Sequence, residues 1–288
     1  MSNKTENPES PGTVSKILWH FTGGPTWNEK EKKQNASHKS AQNAYENLKA
    51  IIRSCRLKLG NYREVIRVLL PQLVKYDPIN ETTITEKNVT VEIESSPICC
   101  LSDIPAPHLR YHASRYGKFA IGFHRDAVIK AGFNPVFYTL QDTPIIRSIY
   151  EGFSAIKFAD TSVIENALEK LEDVDDDLDE NSDSDDIWHM KYALGDIEGA
   201  IDDVKKSLQD FTAFIKTFDK SEFGTIYCER EWRSTEEYKF DFDDIAMIAL
   251  PKAVDGKNYF LDFVEDIAPK LKIPRRIPMV PWDDLVEH

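Results

Sequence analysis

Short apolar runs bounded by turn residues recur along this chain, and most of them read as strands. Ile17-Leu18-Trp19-His20-Phe21-Thr22 is an apolar and aromatic run stopped by Gly23-Gly24-Pro25, which predicts a buried strand ending in a turn. Ile98-Cys99-Cys100-Leu101-Ser102 reads the same way and is closed by Asp103-Ile104-Pro105. In Lys118-Phe119-Ala120-Ile121-Gly122-Phe123 the large residues alternate with small ones, so one face is bare and open to close approach by a helix or a ligand. Thr90–Ile93, Asn134–Leu140 and Asp244–Pro251 complete the predicted strands.

Helical spacing marks the rest. Ala44, Leu48, Ile51, Ile52 and Cys55 predict a helix over 41–59 with Gly60 as its stop. A second short helix is predicted over 62–76, where Pro71 could break it, and a helical turn over 107–116. Ile145–Leu171 is helical in period, and Trp188–Phe218 carries Ile197, Ile201, Val204, Leu208, Phe211, Ile215 and Phe218 on one stripe. Between these two lies the acidic stretch 172–186, read as a disordered loop joining an antiparallel hairpin. A final helix is expected over 259–271.

The expectation is an α+β protein: a disordered tail 1–13, a first part of the sheet domain over 14–144, a helical insert over 145–220 and a second part over 221–288. Charge sharpens this outline. The 288 residues carry a net charge of −13, which argues against nucleic-acid binding by the molecule as a whole. Arg53, Arg56, Lys58, Arg63 and Arg67 nevertheless cluster, and would supply phosphate contacts if a partner were nucleic acid. The four cysteines show no disulfide or metal spacing, and no run of 18 apolar residues exists, so a reduced cytoplasmic protein without a membrane span is expected.

Candidate chemistry centres on Tyr227-Cys228-Glu229-Arg230-Glu231-Trp232-Arg233. On a strand, Glu229, Glu231 and Arg233 share one face, an arrangement suited to acid/base work or charge stabilisation, or to a plain salt-bridge ladder. His20 is either a ligand-orienting group or a core histidine. His108, His112 and His124 lack zinc-site spacing, so no metal is expected. Ser102-Asp103 lacks a nucleophile elbow, and no glycine-rich phosphate loop is present.

These motifs fall in a recognisable order: Trp19-His20-Phe21-Thr22-Gly23-Gly24, Cys99-Cys100-Leu101-Ser102-Asp103-Ile104-Pro105, His108–His112 with Tyr116–Phe123, Asn134–Tyr138, then Glu229–Arg233. The order resembles the AbiGi family of abortive phage-resistance proteins over most of 14–270. The layout also looks like a distant ADP-ribosyltransferase fold, a split β-sheet with flanking helices. That resemblance implies a phage-defence effector with NAD as substrate. His20 would stand against the NAD ribose, Thr22 and Ser102 would line the site, and Tyr111 or Tyr116 would stack on nicotinamide. Glu231 would hold the acid position and Glu229 the accessory one. AbiGi members are also described as the antitoxin half of a pair. This implies the alternative: a non-catalytic component that binds a cognate toxin, with the acidic loop as contact surface. Convergence of His20 and Glu231 in one cleft would favour the enzyme.

Overall fold

The computed structural model describes residues 15–35, 37–77, 82–105, 108–141, 143–157, 166–171, 184–219 and 229–286. The tail 1–13 and the acidic residues 172–183 lie outside the described residues. The fold is α+β. Its principal elements are β1 (Ile17–Phe21), α1 (Ala41–Ser54), β2 (Val65–Asp77), β3 (Thr82–Glu94), β4 (Cys99–Ser102), α2 (Leu109–Tyr116), β5 (Ala120–His124), β6 (Asn134–Pro135), α3 (Pro144–Lys157), α4 (Ser184–Ala213), β7 (Ile215–Phe218), β8 (Glu231–Ser234), β9 (Ile245–Leu250) and β10 (Met279–Pro281). No helix among the described residues is long and apolar enough to cross a membrane.

The chain forms two compact units. The first comprises Met1–Glu64, Pro97–Tyr138 and Ala213–His288, and is built on a seven-stranded sheet in the order β10-β9-β5-β1-β4-β8-β6. Its pairings are antiparallel except β9 with β10. Leu18, Leu101, Ile121, Phe123, Ile248 and Leu250 pack with Tyr45, Leu48 and Ile52 of α1 and with Tyr259 and Phe263 near the C-terminus. Each such buried aliphatic side chain stabilises the fold by about 1.5–3 kcal/mol. A second apolar cluster joins Trp19, Ala120 and Ala249 to Leu109 and Ala113 of α2 and to Trp282. The bare face of β5 is thus filled by protein: a Cβ on Gly122 would come within 2.6 Å of Ile17 and 3.2 Å of the Trp19 ring.

α1 starts where Ser40 accepts the Asn43 amide, and it ends earlier than Gly60. Cys55 takes the left-handed conformation (φ 50°) and returns its N–H to Ile51 and Ile52, after which Arg56–Leu57 pairs with Tyr238–Lys239.

The second unit, Val65–Ser96 with Thr139–Thr212, contains the larger departures from expectation. The predicted helix over 62–76 is instead β2, paired with β3 from Val65↔Glu94 to Asp77↔Thr82. Val65, Ile66 and Val68 are β-branched and buried, and the burial follows the strand period better than the helical one. Pro71 is tolerated because the register steps from Leu70↔Val89 to Gln72↔Lys87, leaving it opposite Asn88, which has φ 52°. In α3, Ile146, Tyr150 and Phe153 are buried, and the helix packs on β2.

α4 spans Ser184–Ala213, so Ser184–Asp186 are helical rather than part of a loop, and the helix stops short of Phe218. Ile215–Phe218 form β7, and the Phe137 amide bonds the Phe214 carbonyl at 2.8 Å. From Met190 to Phe211 the apolar residues of α4 recur at alternating spacings of four and three: Met190, Leu194, Ile197, Ile201, Val204, Leu208 and Phe211. That is the repeat of a coiled-coil seam. Yet no residue from His189 to Phe211 is buried, and Met190, Ile197, Val204 and Phe211 are 54%, 50%, 44% and 55% exposed. The expected antiparallel helix therefore does not cover this stripe among the described residues.

Candidate functional site

In the first unit the sheet opens between two neighbouring strands. β1 and β4 meet in register only at Trp19↔Ser102, whereas β4 and β8 pair from Glu231↔Ser102 to Ser234↔Cys99. Where β1 leaves β4, the His20 ring takes over the Cys100 carbonyl, Nδ1 lying 3.1 Å from it. The Gly23-Gly24 turn follows, and it is tight: a Cβ on either glycine would come within 2.9 Å of Tyr116. The result is a cavity of about 260 Å³ lined by His20, Cys100, Ser102, His112, Tyr116, Lys216, Glu229 and Glu231 among others.

The corner carrying the two glutamates is held from behind. Arg230 adopts φ 41°, a conformation that costs a non-glycine residue about 1–3 kcal/mol. Its carbonyl accepts the Asp103 amide at 2.9 Å, and its guanidinium reaches the Asp103 carboxylate at 3.1 Å. Arg125 approaches the same carboxylate at 2.8 Å. Asp103 is thus committed to two arginines rather than to Ser102.

Both glutamates are buried and paired. Glu229 accepts from Arg115 at 2.5 Å and faces Lys216 at 2.6 Å. Glu231 accepts from Arg233 at 2.9 Å and from Lys216 at 3.3 Å. Arg233 is fully buried, donates to Glu64 at 2.6 Å, and also holds the Ala213 and Ile215 carbonyls at 2.7 and 3.3 Å. Tyr62 donates to the same Glu64 carboxylate at 2.9 Å. Arg115, Lys216 and Arg233 therefore face Glu64, Glu229 and Glu231, three charges against three.

Burial acts on Glu231, Lys216, Cys100, His20 and His112. Desolvation pushes Glu231 up, but Arg233 and Lys216 outweigh it and hold the carboxyl below its usual range. Desolvation pulls Lys216 down, and Glu231, Tyr62 and Glu229 overcome it. Desolvation raises the Cys100 thiol, and the Glu231 charge adds to the effect. His20 is lowered by desolvation, with Lys39 adding to it. His112, stacked on Tyr116 at 4.5 Å, is lowered to about 4 by desolvation and Arg115.

Of the residues the sequence singles out, His20, Ser102, Tyr116, Glu229 and Glu231 meet in this cavity. Thr22 does not line it; its hydroxyl is buried and donates to the Ala44 carbonyl at 2.7 Å, tying β1 to α1. Tyr111 is 46% exposed on α2 and also lies outside the lining. The basic residues do not share one helix: Arg53 is in α1, Arg56 is in a short strand, and Arg67 is in β2, paired with Glu92 at 3.0 Å. No group of three metal-ligating side chains exists among the described residues. Lys216, Arg115, Lys39, Tyr62 and Glu64 went unnoticed in the sequence. For Lys216 a signal was present, because Phe214, Lys216 and Phe218 alternate with Ile215 and Thr217.

A family model described as a proposed abortive phage resistance protein AbiGi, antitoxin, matches residues 73–265, more than half of the chain. The match takes in Ser102, Tyr116, Lys216, Glu229 and Glu231 and begins after His20, Lys39 and Tyr62. No curated protein and no solved structure matches the chain.

Proposed function

Because the chain belongs to the AbiGi family of abortive phage resistance, we propose that it acts as the antitoxin its family describes, binding a cognate toxin through the apolar stripe of α4. The observation that carries this reading is the uncovered seam: three heptads of 3–4 spacing with Met190, Ile197, Val204 and Phe211 about half exposed. Such a stripe is stable on a soluble helix when another helix lies against it, and an exposed apolar patch of this kind marks an interaction surface. The occupant is an amphipathic helix of the toxin. α4 carries seven acidic and three basic residues, so a basic rim on that helix would complement it. The test is co-expression with the toxin, followed by size-exclusion chromatography with light scattering. A heterocomplex that Ile197→Asp with Val204→Asp dissolves supports the reading. A homodimer through the same stripe, or a heterocomplex indifferent to both substitutions, overturns it.

A second reading, transfer of ADP-ribose from NAD on an ADP-ribosyltransferase-like split sheet, is favoured by one observation: His20, Ser102, Tyr116, Glu229 and Glu231 share a cavity. One observation weighs against it. A carboxylate that stabilises developing positive charge works through charge it has not already given to fixed cations, and Glu231 faces Arg233 and Lys216. Labelled NAD incubated with protein and toxin decides it: turnover lost in Glu231→Gln would restore the transferase.

A further inference from the structure

His20, Phe21, Lys39, Lys58 and Gly60 line the cavity just described and also a second, larger hollow of about 650 Å³ beside the end of α1. The charged side chains lining this second hollow are Lys39, Arg53, Arg56 and Lys58. All four are cations, and no carboxylate among the described residues lines it. Among the described residues none of the four has an ion-pair partner, although the chain as a whole carries a net charge of −13. An acidic protein has carboxylates to spare for neutralising four cations, so their concentration in one concave place without any is a selective arrangement.

For one of the four the environment makes this costly as well, whereas Arg53, Arg56 and Lys58 are exposed. Lys39 is half-buried, and loss of hydration pulls its ammonium below the usual lysine range. Its charge also depresses His20, which places the two groups within electrostatic reach of each other. A polyvalent anion would offset the positive charge that Lys39, Arg53, Arg56 and Lys58 bring together. Arginine forks match the oxygens of a phosphate two at a time, and a lysine serves as a point charge beside them. Tyr62, Tyr116 and Phe21 in the adjoining cavity give a flat group something to lie against.

We propose that this joined hollow binds a small molecule bearing two or more phosphates, held by Lys39, Arg53, Arg56 and Lys58 with its non-phosphate end toward the aromatic cavity. The ligand is small rather than a nucleic acid because the site is concave, has a volume typical of small-molecule sites, and sits in a molecule whose net charge repels a long polyanion. The inference concerns a site in the first unit and does not depend on toxin binding through α4.

Isothermal titration of the full chain at low ionic strength tests it, with ADP, inorganic pyrophosphate, inorganic phosphate and a single-stranded decanucleotide as probes. The expected result is binding of ADP and pyrophosphate at least about 10-fold tighter than inorganic phosphate, weakening as salt is added. Lys39→Gln and Arg56→Gln should each weaken ADP by about 10-fold with unchanged far-UV circular dichroism. The seam variant Val204→Asp should leave ADP binding untouched. Failure of ADP and pyrophosphate to bind, equal binding by the folded Lys39→Gln and Arg56→Gln variants, or tighter binding of the decanucleotide than of ADP would each overturn the proposal.

Discussion

In the first unit Arg115, Lys216, Arg233, Glu64, Glu229 and Glu231 are gathered into one paired network, and Arg233 at its centre is fully buried. In the second unit the apolar line Met190, Ile197, Val204 and Phe211 is turned outward. Each arrangement runs against the ordinary distribution of polar and apolar groups. Burying ions costs desolvation that their attraction barely repays, so the network is poorly explained as a source of stability. What it does is mechanical. Arg233 grips Glu64, the last residue before the chain leaves this unit, and the carbonyls of Ala213 and Ile215, where it returns. The outward seam has no such internal role among the described residues, which is why it is assigned to a partner.

Arg233→Met would leave Glu64 and Glu231 buried without their main cation, and should cost about 3–5 kcal/mol in a denaturant titration. A loss under about 1 kcal/mol would mean that water reaches the network and that it is not buried in solution.

Acid should act next. His112 falls from 6.5 in the unfolded chain to about 4 in the fold, so the stability of burying it neutral is complete above pH 6.5 and is lost as pH drops toward 4. That amounts to about 3 kcal/mol over the window. Glu231, held below its ordinary 4.5, contributes stability present above that value and lost as pH falls through its depressed one. Thermal melts from pH 7 to 4 should show the first loss, and His112→Phe should flatten it while leaving the Glu231 loss below pH 4.5.

Glu231→Gln comes third, with an expected cost of about 1–3 kcal/mol because Lys216 and Arg233 lose a charged acceptor. The sequence shows part of this, since Arg233 lies two positions along the same strand face, whereas Lys216 reaches Glu231 from β7. The same reason explains what else was legible. β1, β4, β5 and β9 are short runs whose period is unambiguous, and His20, Ser102, Tyr116 and the glutamates sit on or beside such runs. β2 was missed because Pro71 interrupts its alternation and only a paired strand supplies the context that tolerates it. α4 was overextended because Phe211, Ile215 and Phe218 keep helical spacing while Ile215–Phe218 also fit a strand, and tertiary pairing decided between them. Lys39 and Arg115 belong to no motif; long cationic side chains reach a site from positions that local pattern cannot mark.

Ile197→Asp with Val204→Asp should change the stability of the isolated chain by no more than about 0.5 kcal/mol per site, as exposed positions do. A cost of about 2 kcal/mol or more per site would show that the stripe is packed inside the molecule.

A stripe kept open for the toxin sets the affinity of their complex. Titrating purified toxin into wild type and into the doubly substituted chain should give a defined heterocomplex for the first and an affinity at least about 30-fold weaker for the second, with both chains equally folded. Equal affinities in the two titrations would show that the toxin does not bind through the stripe.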